Sequence, residues 1–148
     1  MKARDLMTPE PYVVLPGDPV ARAAEIMRDH DIGAVPVVDD REGMILVGVI
    51  TDRDLAIRHV AAGHDPDCPV RKHMTAHNLV TVRPDTEVNG LMKRMRRSKV
   101  RRVMVTDVDG ALKGVVAQAD LLRVEGEEHP KRVERVLAVI SEPAELPR

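Results

Sequence analysis

The stretch that decides the fold is GVITDRDL, residues 48–55, together with its counterpart GVVAQADL at residues 114–121. In both, an apolar run rich in β-branched residues leads into a segment with Asp at its seventh position, so a strand is predicted to end where a helix begins. Thr51 and Asp54 fit a capping box, in which the hydroxyl accepts from a backbone N–H and the carboxylate reaches back to the N-cap. A hydroxyl beside a carboxylate at a strand end also suits a vicinal diol, so both interpretations stay open.

The two stretches belong to an internal repeat that covers most of the chain. Each copy reads strand, amphipathic helix, strand, strand, helix. The predicted helices have apolar stripes at Val20, Ala23, Ala24 and Met27 in the first copy, and at Val88, Leu91, Met92 and Met95 in the second. The predicted strands cover residues 12–16, 34–39 and 44–51, then 79–84, 101–107 and 111–117. Second helices are expected to begin near Asp52 and Gln118.

The repeat predicts an α+β fold of two β-α-β-β-α units, packed as a pseudo-twofold pair with clefts between the copies. The copies span residues 5–62 and 72–124, a linker covers 63–71, and a helical tail covers 125–148. Asp18-Pro19 is expected to begin the first helix and Asp85 to cap its counterpart, while Asp109-Gly110 predicts a hairpin. The tail places its apolar residues on one face, which we expect to dock on the pair or on a second copy: Val133, Val136, Leu137 and Ile140.

Composition excludes several classes of protein. The 148 residues are 43% apolar and 32% charged, with a formal net charge of -1, which argues against attraction of the whole molecule to nucleic acid or anionic membrane. Cys68 is the single cysteine, so an intrachain disulfide and a metal cage of thiolates are excluded and a reducing compartment is favoured. The first residues lack an apolar leader and the longest apolar run, 44–50, is short, so a cytoplasmic location is expected.

The two repeats resemble CBS motifs, and together they resemble a CBS-domain pair, or Bateman module. The resemblance covers about residues 5–124 and rests on Met7-Thr8 and Met74-Thr75, on DIGAVPVVD at 31–39 against KVRRVMVTD at 99–107, and on the two stretches quoted first. The first copy is also similar to small stand-alone CBS-pair proteins of the hypoxic-response type. The resemblance implies a regulatory module for stress response that binds an adenine nucleotide or another adenosyl ligand and signals to an effector protein, requires no cofactor, and forms a homodimer.

The resemblance also implies roles for particular residues. The ribose would be held by Thr51 and Asp54, and more weakly by Asp120, because Ala117 stands in the slot of the threonine. The adenine would lie against residues of the strand ends: Thr8, Val14, Ala34, Val35 and Pro36, with Thr75, Val80, Val103 and Met104 in the other copy. The phosphates would be met by Arg53, Lys99, Arg101 and Arg102. For each apolar residue, the alternative is an ordinary place in the core.

Other functions find less support in the residues. The basic run 93–102 suits nucleic-acid phosphates, but without aromatic partners it is more often a solvated face. His59, His64, His73 and His77 are interpreted as surface histidines, with a zinc site across a dimer left open. No catalytic motif is present, so the chain is predicted not to be an enzyme. A ligand-free interaction protein acting through its dimer surface is the alternative from another class.

Overall fold

The computed structural model describes residues 1–128 and 130–140. These residues form two compact units whose members are not consecutive in the sequence. The first-repeat unit contains Glu10–Leu79 and Val108–Leu112. The second-repeat unit contains Met1–Pro9, Val80–Asp107 and the described residues from Lys113 onward. The start of each sequence repeat, with its Met-Thr pair, therefore belongs to the unit of the other repeat.

The first-repeat unit is built around a two-stranded antiparallel sheet. Its elements are α2 (Val20–His30), β2 (Ala34–Val38), β3 (Leu46–Thr51) and α3 (Asp52–Asp54), which continues as a π-helical segment (Leu55–Val60), and a 3-10 turn (Val70–Lys72). Single bridges extend the sheet on both sides: Val14 pairs with Val37 in parallel, and Thr75 pairs with Val49 antiparallel.

The second-repeat unit has a four-stranded sheet in the order β1-β6-β5-β4. Its elements are α1 (Ala3–Leu6), β1 (Thr8–Pro9), β4 (Thr81–Val82), α4 (Val88–Ser98), β5 (Arg102–Thr106), β6 (Leu112–Ala117), α5 (Gln118–Glu128) and α6 (Pro130–Ile140). Thr8 pairs with Val115, as Thr75 pairs with Val49 in the first-repeat unit. The predicted α+β repeat is thereby confirmed, with the strands predicted at 12–16 and 79–84 reduced to a bridge at Val14 and to β4.

Each unit buries its own apolar cluster beneath its first long helix. In the second-repeat unit, all four predicted helix positions lie in the core with strand valines such as Val105 and Val116. In the first-repeat unit, Ala24 is exposed and Ile26 is buried in its place, so that part of the predicted stripe is wrong. The buried face of α2 is made by Val20, Ala23, Ile26 and Met27.

The N-termini of these helices are capped differently from the prediction. Neither Asp18 nor Asp85 is an N-cap: α2 begins after Pro19 and α4 after Glu87, without a side-chain cap. The Asp18 carboxylate instead accepts the backbone N–H of Leu15 at 2.8 Å. Carbonyl groups distant in the sequence satisfy the first helical amides: those of Cys68 and Pro66 for α2, and that of Met1 for α4. Local sequence does not reveal such partners.

The structure agrees with the predicted turn at Gly110 and with the docking of the helical tail. Gly110 has a φ of 87°, a left-handed conformation that glycine adopts without steric cost. The hairpin predicted at Asp109-Gly110 needs such a conformation. α6 packs against α4 and α5 with Val133 buried, so the tail docks on its own chain. The side chains of Val136 and Ile140, and residues 129 and 141–148 of the predicted tail, lie outside the described residues. No described helix combines the length and apolarity needed to cross a lipid bilayer.

Candidate functional site

The end of β3 carries a complete capping box. The Thr51 hydroxyl accepts the backbone N–H of Asp54 at 3.1 Å, and the Asp54 Oδ2 accepts the backbone N–H of Thr51 at 3.0 Å. The other carboxylate oxygen, Oδ1, lies 3.6 Å from the Arg58 Nε. Asp54 is only 9% exposed, so its carboxylate lies largely out of the solvent. The hydroxyl proton of Thr51 is not used in the box, and a carboxylate oxygen accepts more than one hydrogen bond, so both groups retain capacity for a diol.

The end of β6 has one of the two capping-box hydrogen bonds, the one that the aspartate accepts. Asp120 Oδ2 accepts the backbone N–H of Ala117 at 2.7 Å, and its Oδ1 lies 3.2 Å from the Arg123 Nη2. Although position 117 has no hydroxyl, Asp120 still accepts the returning hydrogen bond, because that bond needs only the backbone N–H that alanine also has. The carboxylate is therefore positioned alike in both units.

We expect Ala117→Thr to complete the second capping box and to stabilise the protein. A threonine hydroxyl at this position would accept the backbone N–H of Asp120, as it does in the first unit, and such a cap is worth about 0.5–2 kcal/mol. Thr51→Ala is the matched control and should lower the free energy of unfolding by a similar amount. Urea denaturation measures both. A loss in Thr51→Ala with no gain in Ala117→Thr would contradict the equivalence of the two ends.

A pair of backbone hydrogen bonds supports the same equivalence. Asp52 donates its N–H to the Gly33 carbonyl at 3.0 Å, and Gln118 donates its N–H to the Arg101 carbonyl at 2.9 Å. Gly33 thus stands where the other copy has Arg101, as the sequence comparison predicts. Among the four basic candidates for phosphate, Arg53, Lys99 and Arg101 are exposed and Arg102 is half-buried.

The residues predicted for the adenine divide into two groups. Val14, Val35 and Val103 have no exposed surface and belong to the apolar core of their own unit, so their side chains are core residues. Pro36 and Met104 are also buried, Ala34 and Val80 are half-buried, and Thr8 and Thr75 are exposed. Ala34 pairs directly with Thr51 in the β2–β3 register. The structure thus brings Ala34, Thr51 and Asp54 together within the first-repeat unit, where β3 ends.

Two of the four histidines are not on the surface. His59 is 6% exposed and His73 is 4% exposed, whereas His64 and His77 are exposed as predicted. His59, His64 and His73 pack their rings together, with centroids 5.0–6.2 Å apart. Sequence reasoning missed this cluster; the signal available was the short spacing from His64 to Cys68 to His73 within one connection.

A pocket of about 360 Å³ lies in the first-repeat unit beside the π-helical segment. It is lined by Val20, Ala21, Ala24, Glu25, Arg28, Leu55, His59, Val60 and Pro66. None of the residues predicted to contact a nucleotide lines it. Because its walls are mostly apolar and its location does not involve the capping boxes, we do not assign the nucleotide to it.

The family model of the CBS domain matches the chain twice, at residues 3–59 and 70–127. The chain belongs to the CBS-domain family. The two matched ranges closely coincide with the two sequence repeats of this tandem CBS protein, which confirms the resemblance seen in the sequence.

Relatives of this CBS pair include proteins of similar and of greater length. It is 38% identical to an uncharacterized protein of Methanopyrus kandleri, MK0525, over 76% of its own length, and spans 58% of that relative. It is 34% identical to Hypoxic response protein 1 of Mycobacterium tuberculosis, over 82% of each chain. A crystal structure of Hypoxic Response Protein I with two coordinated zinc ions matches with a TM-score of 0.73 at 32% identity, covering 84% of this chain and 98% of the other.

The structure of CBSX2 in complex with AMP also matches. The TM-score is 0.73 at 29% identity, and the alignment covers 86% of this chain and 97% of that chain. The CBS fold of our chain is thus shared with a protein that binds an adenine nucleotide.

Proposed function

We propose that this CBS pair is a regulatory module that binds an adenine nucleotide, with Thr51 and Asp54 holding the ribose. The observation that carries the proposal is the geometry at the end of β3, where a buried carboxylate and a hydroxyl are fixed side by side. The AMP complex of CBSX2 supports the ligand class. The complete box makes the Thr51 end the stronger ribose site, and the Asp120 end the weaker one.

The Asp54 side chain has the right acceptor available for a ribose hydroxyl. Its Oδ2 accepts the Thr51 N–H, whereas within residues 1–128 and 130–140 its Oδ1 has one contact, with Arg58 at 3.6 Å, which is longer than a good hydrogen bond. A sugar hydroxyl that donates to Oδ1 makes a charge-assisted hydrogen bond, which is stronger than a neutral one. The Thr51 hydroxyl proton is free to donate to the neighbouring sugar oxygen.

The remaining contacts of the proposed nucleotide are with its adenine and its phosphates. Because Val14 and Val35 are core residues, we propose that adenine at the Thr51 end contacts the backbone at these positions and the side chain of Ala34. The phosphates are proposed to be met by Arg53, Lys99, Arg101 and Arg102, all of which keep some exposed surface. A guanidinium group binds phosphate oxygens by two parallel hydrogen bonds, whereas a lysine ammonium binds as a point charge.

Signalling requires a second protein surface. We propose that the chain acts as a homodimer and transmits ligand occupancy to a separate effector protein during a stress response. Ile57 and Val60 of the π-helical segment directly after the ribose site are 51% and 68% exposed. Two such exposed apolar side chains in one short segment are suited to a contact between copies. Catalysis by this chain is not proposed.

Isothermal titration calorimetry with AMP, ADP, ATP and S-adenosylmethionine tests the proposed function. We expect one adenosyl ligand to bind with a stoichiometry between one and two per chain, with GMP and CMP binding at least about tenfold more weakly, a difference of 1.4 kcal/mol. The matched thermal unfolding should show stabilisation by the same ligand, because a ligand that binds only the folded state raises its stability. Light scattering on the same samples measures the dimer. Equal binding of GMP and AMP, or binding of no adenosyl ligand, would contradict the proposal.

A further inference from the structure

The connection that follows the π-helical segment gathers metal-ligand side chains which the nucleotide site does not use. The Cys68 Sγ and one ring nitrogen each of His64 and His73 all lie within 4.8 Å of one another. His64 is exposed, Cys68 is half-exposed and His73 is buried. From this geometry we propose that His64, Cys68 and His73 form a binding site for a zinc ion within a single chain.

An unsatisfied buried atom points to the same site. His73 is 4% exposed, and its Nε2 has no hydrogen-bond partner among the described residues. Native proteins rarely leave a buried polar atom without a partner. A metal ion bonded to this nitrogen would satisfy it.

A metal ion binds the neutral form of an imidazole and the deprotonated form of a thiol. Cys68 would lose its thiol proton to solvent when it binds, as thiolate ligands do.

The backbone around the three ligands is already fixed. The N–H groups of His64, Cys68 and His73 donate to the carbonyl groups of His59, Asp65 and Val70, at 3.2, 2.9 and 3.0 Å respectively. The Cys68 carbonyl accepts the first amide of α2, from Val20, at 2.8 Å. Ligands carried on a backbone that is held in place lose little conformational freedom on binding.

His59 contacts both the connection that carries the ligands and the His73 ring. Its Nε2 lies 2.8 Å from the Asp65 carbonyl oxygen, to which it donates, so the ring holds the connection in place rather than facing the metal with that nitrogen. Its ring makes an edge contact with the His73 ring, with centroids 5.0 Å apart. His59 is thus a positioning residue of the proposed site.

The donor set favours zinc among common ions. Two imidazole nitrogens and one thiolate are borderline and soft ligands, which suit Zn²⁺ and exclude Mg²⁺ and Ca²⁺. Bond lengths of about 2.0–2.3 Å place tetrahedral ligands roughly 3.3–3.8 Å apart, so atoms within 4.8 Å of one another need to close by at most about 1–1.5 Å. Rotation of the exposed His64 and the half-exposed Cys68 provides that movement. Three protein ligands leave the fourth position to water.

The test uses the full chain, without an affinity tag and after treatment with a chelator. Titration with Co²⁺ should give one metal per chain and a thiolate-to-cobalt charge-transfer absorption, and Zn²⁺ should displace the cobalt and raise the unfolding temperature. Cys68→Ser should abolish the charge-transfer absorption and weaken Zn²⁺ binding at least tenfold, and His64→Ala should weaken it similarly.

His77→Ala is the control, because His77 is an exposed histidine outside the cluster and should bind as the unaltered chain does. Circular dichroism verifies that the variants fold, and both substituted ligands are at positions with exposed surface, so unfolding is not expected. Binding that is unchanged in Cys68→Ser, or one metal shared between two chains, would overturn the proposal. Nucleotide binding is measured separately on the chelated chain, so failure of one site does not affect the other.

Discussion

Asp54→Ala is expected to weaken adenine-nucleotide binding at least about tenfold, because one charge-assisted hydrogen bond contributes roughly 1.5–3 kcal/mol. The substitution removes the Oδ1 acceptor that we propose for a ribose hydroxyl. It also removes the partner of the Thr51 N–H, so the end of β3 loses half of its capping box. Calorimetric titration of the folded variant with the preferred ligand measures the effect.

Asp52→Ala is the matched control for Asp54→Ala. Asp52 is also acidic and lies in the first turn of α3, but it is exposed, and its carboxylate accepts the N–H of the next residue, Arg53. Both variants lose one carboxylate at the same helix end, so a general electrostatic effect would be shared between them. Asp120→Ala should weaken binding less than Asp54→Ala. Equal affinities for the Asp52 and Asp54 variants would remove the ribose role and leave Asp54 as a helix cap.

Gly114→Ala is expected to destabilise the protein by about 1–3 kcal/mol or more, the usual cost of overpacking a closely packed site. A Cβ atom at this position would lie 2.6 Å from the Met7 Sδ and 2.8 Å from the Thr8 carbonyl oxygen. The methionine side chain is flexible, but the carbonyl belongs to β1, which pairs with β6 at this point. Relief therefore requires separation of two strands. Denaturant unfolding followed by circular dichroism measures the loss.

The first-repeat unit offers a graded comparison. A Cβ at Gly48 would lie 2.7 Å from the Met74 Sδ but 3.1 Å from the Thr75 carbonyl oxygen, so Gly48→Ala should cost less than Gly114→Ala. Gly17→Ala is the control, since its Cβ would meet only the Arg71 Nη1 at an ordinary 3.8 Å. A destabilisation as large in Gly17→Ala as in Gly114→Ala would refute the steric explanation.

Gly48 and Gly114 also explain why the Met-Thr pairs recur in the sequence. Each methionine side chain packs over the glycine of the neighbouring strand, and each threonine pairs with the residue that follows that glycine. The glycine that begins each of the stretches 48–55 and 114–121 is therefore packed against a Met-Thr pair far from it in the chain. The sequence shows that both motifs repeat, but their direct contact is visible only in the folded structure.

What the sequence by itself determined was mostly local or periodic. Apolar spacing located α2, α4 and the two pairs of central strands, because the side-chain periods of helices and strands differ. The capping box at Thr51 and the turn at Gly110 were also predictable, since each depends on residues within four positions of one another. The resemblance to CBS motifs supplied the ribose candidates.

What only the tertiary structure decided involves partners far apart in the chain. The carbonyl groups of Cys68 and Met1 replace the predicted side-chain caps of α2 and α4, and the first nine residues join the unit of the second repeat. His59 and His73, predicted to be exposed, are buried together beside Cys68. The physical reason is that burial and long-range hydrogen bonds depend on how distant parts of the chain pack together. Apolar periodicity and local propensity report only on residues that are close in the sequence.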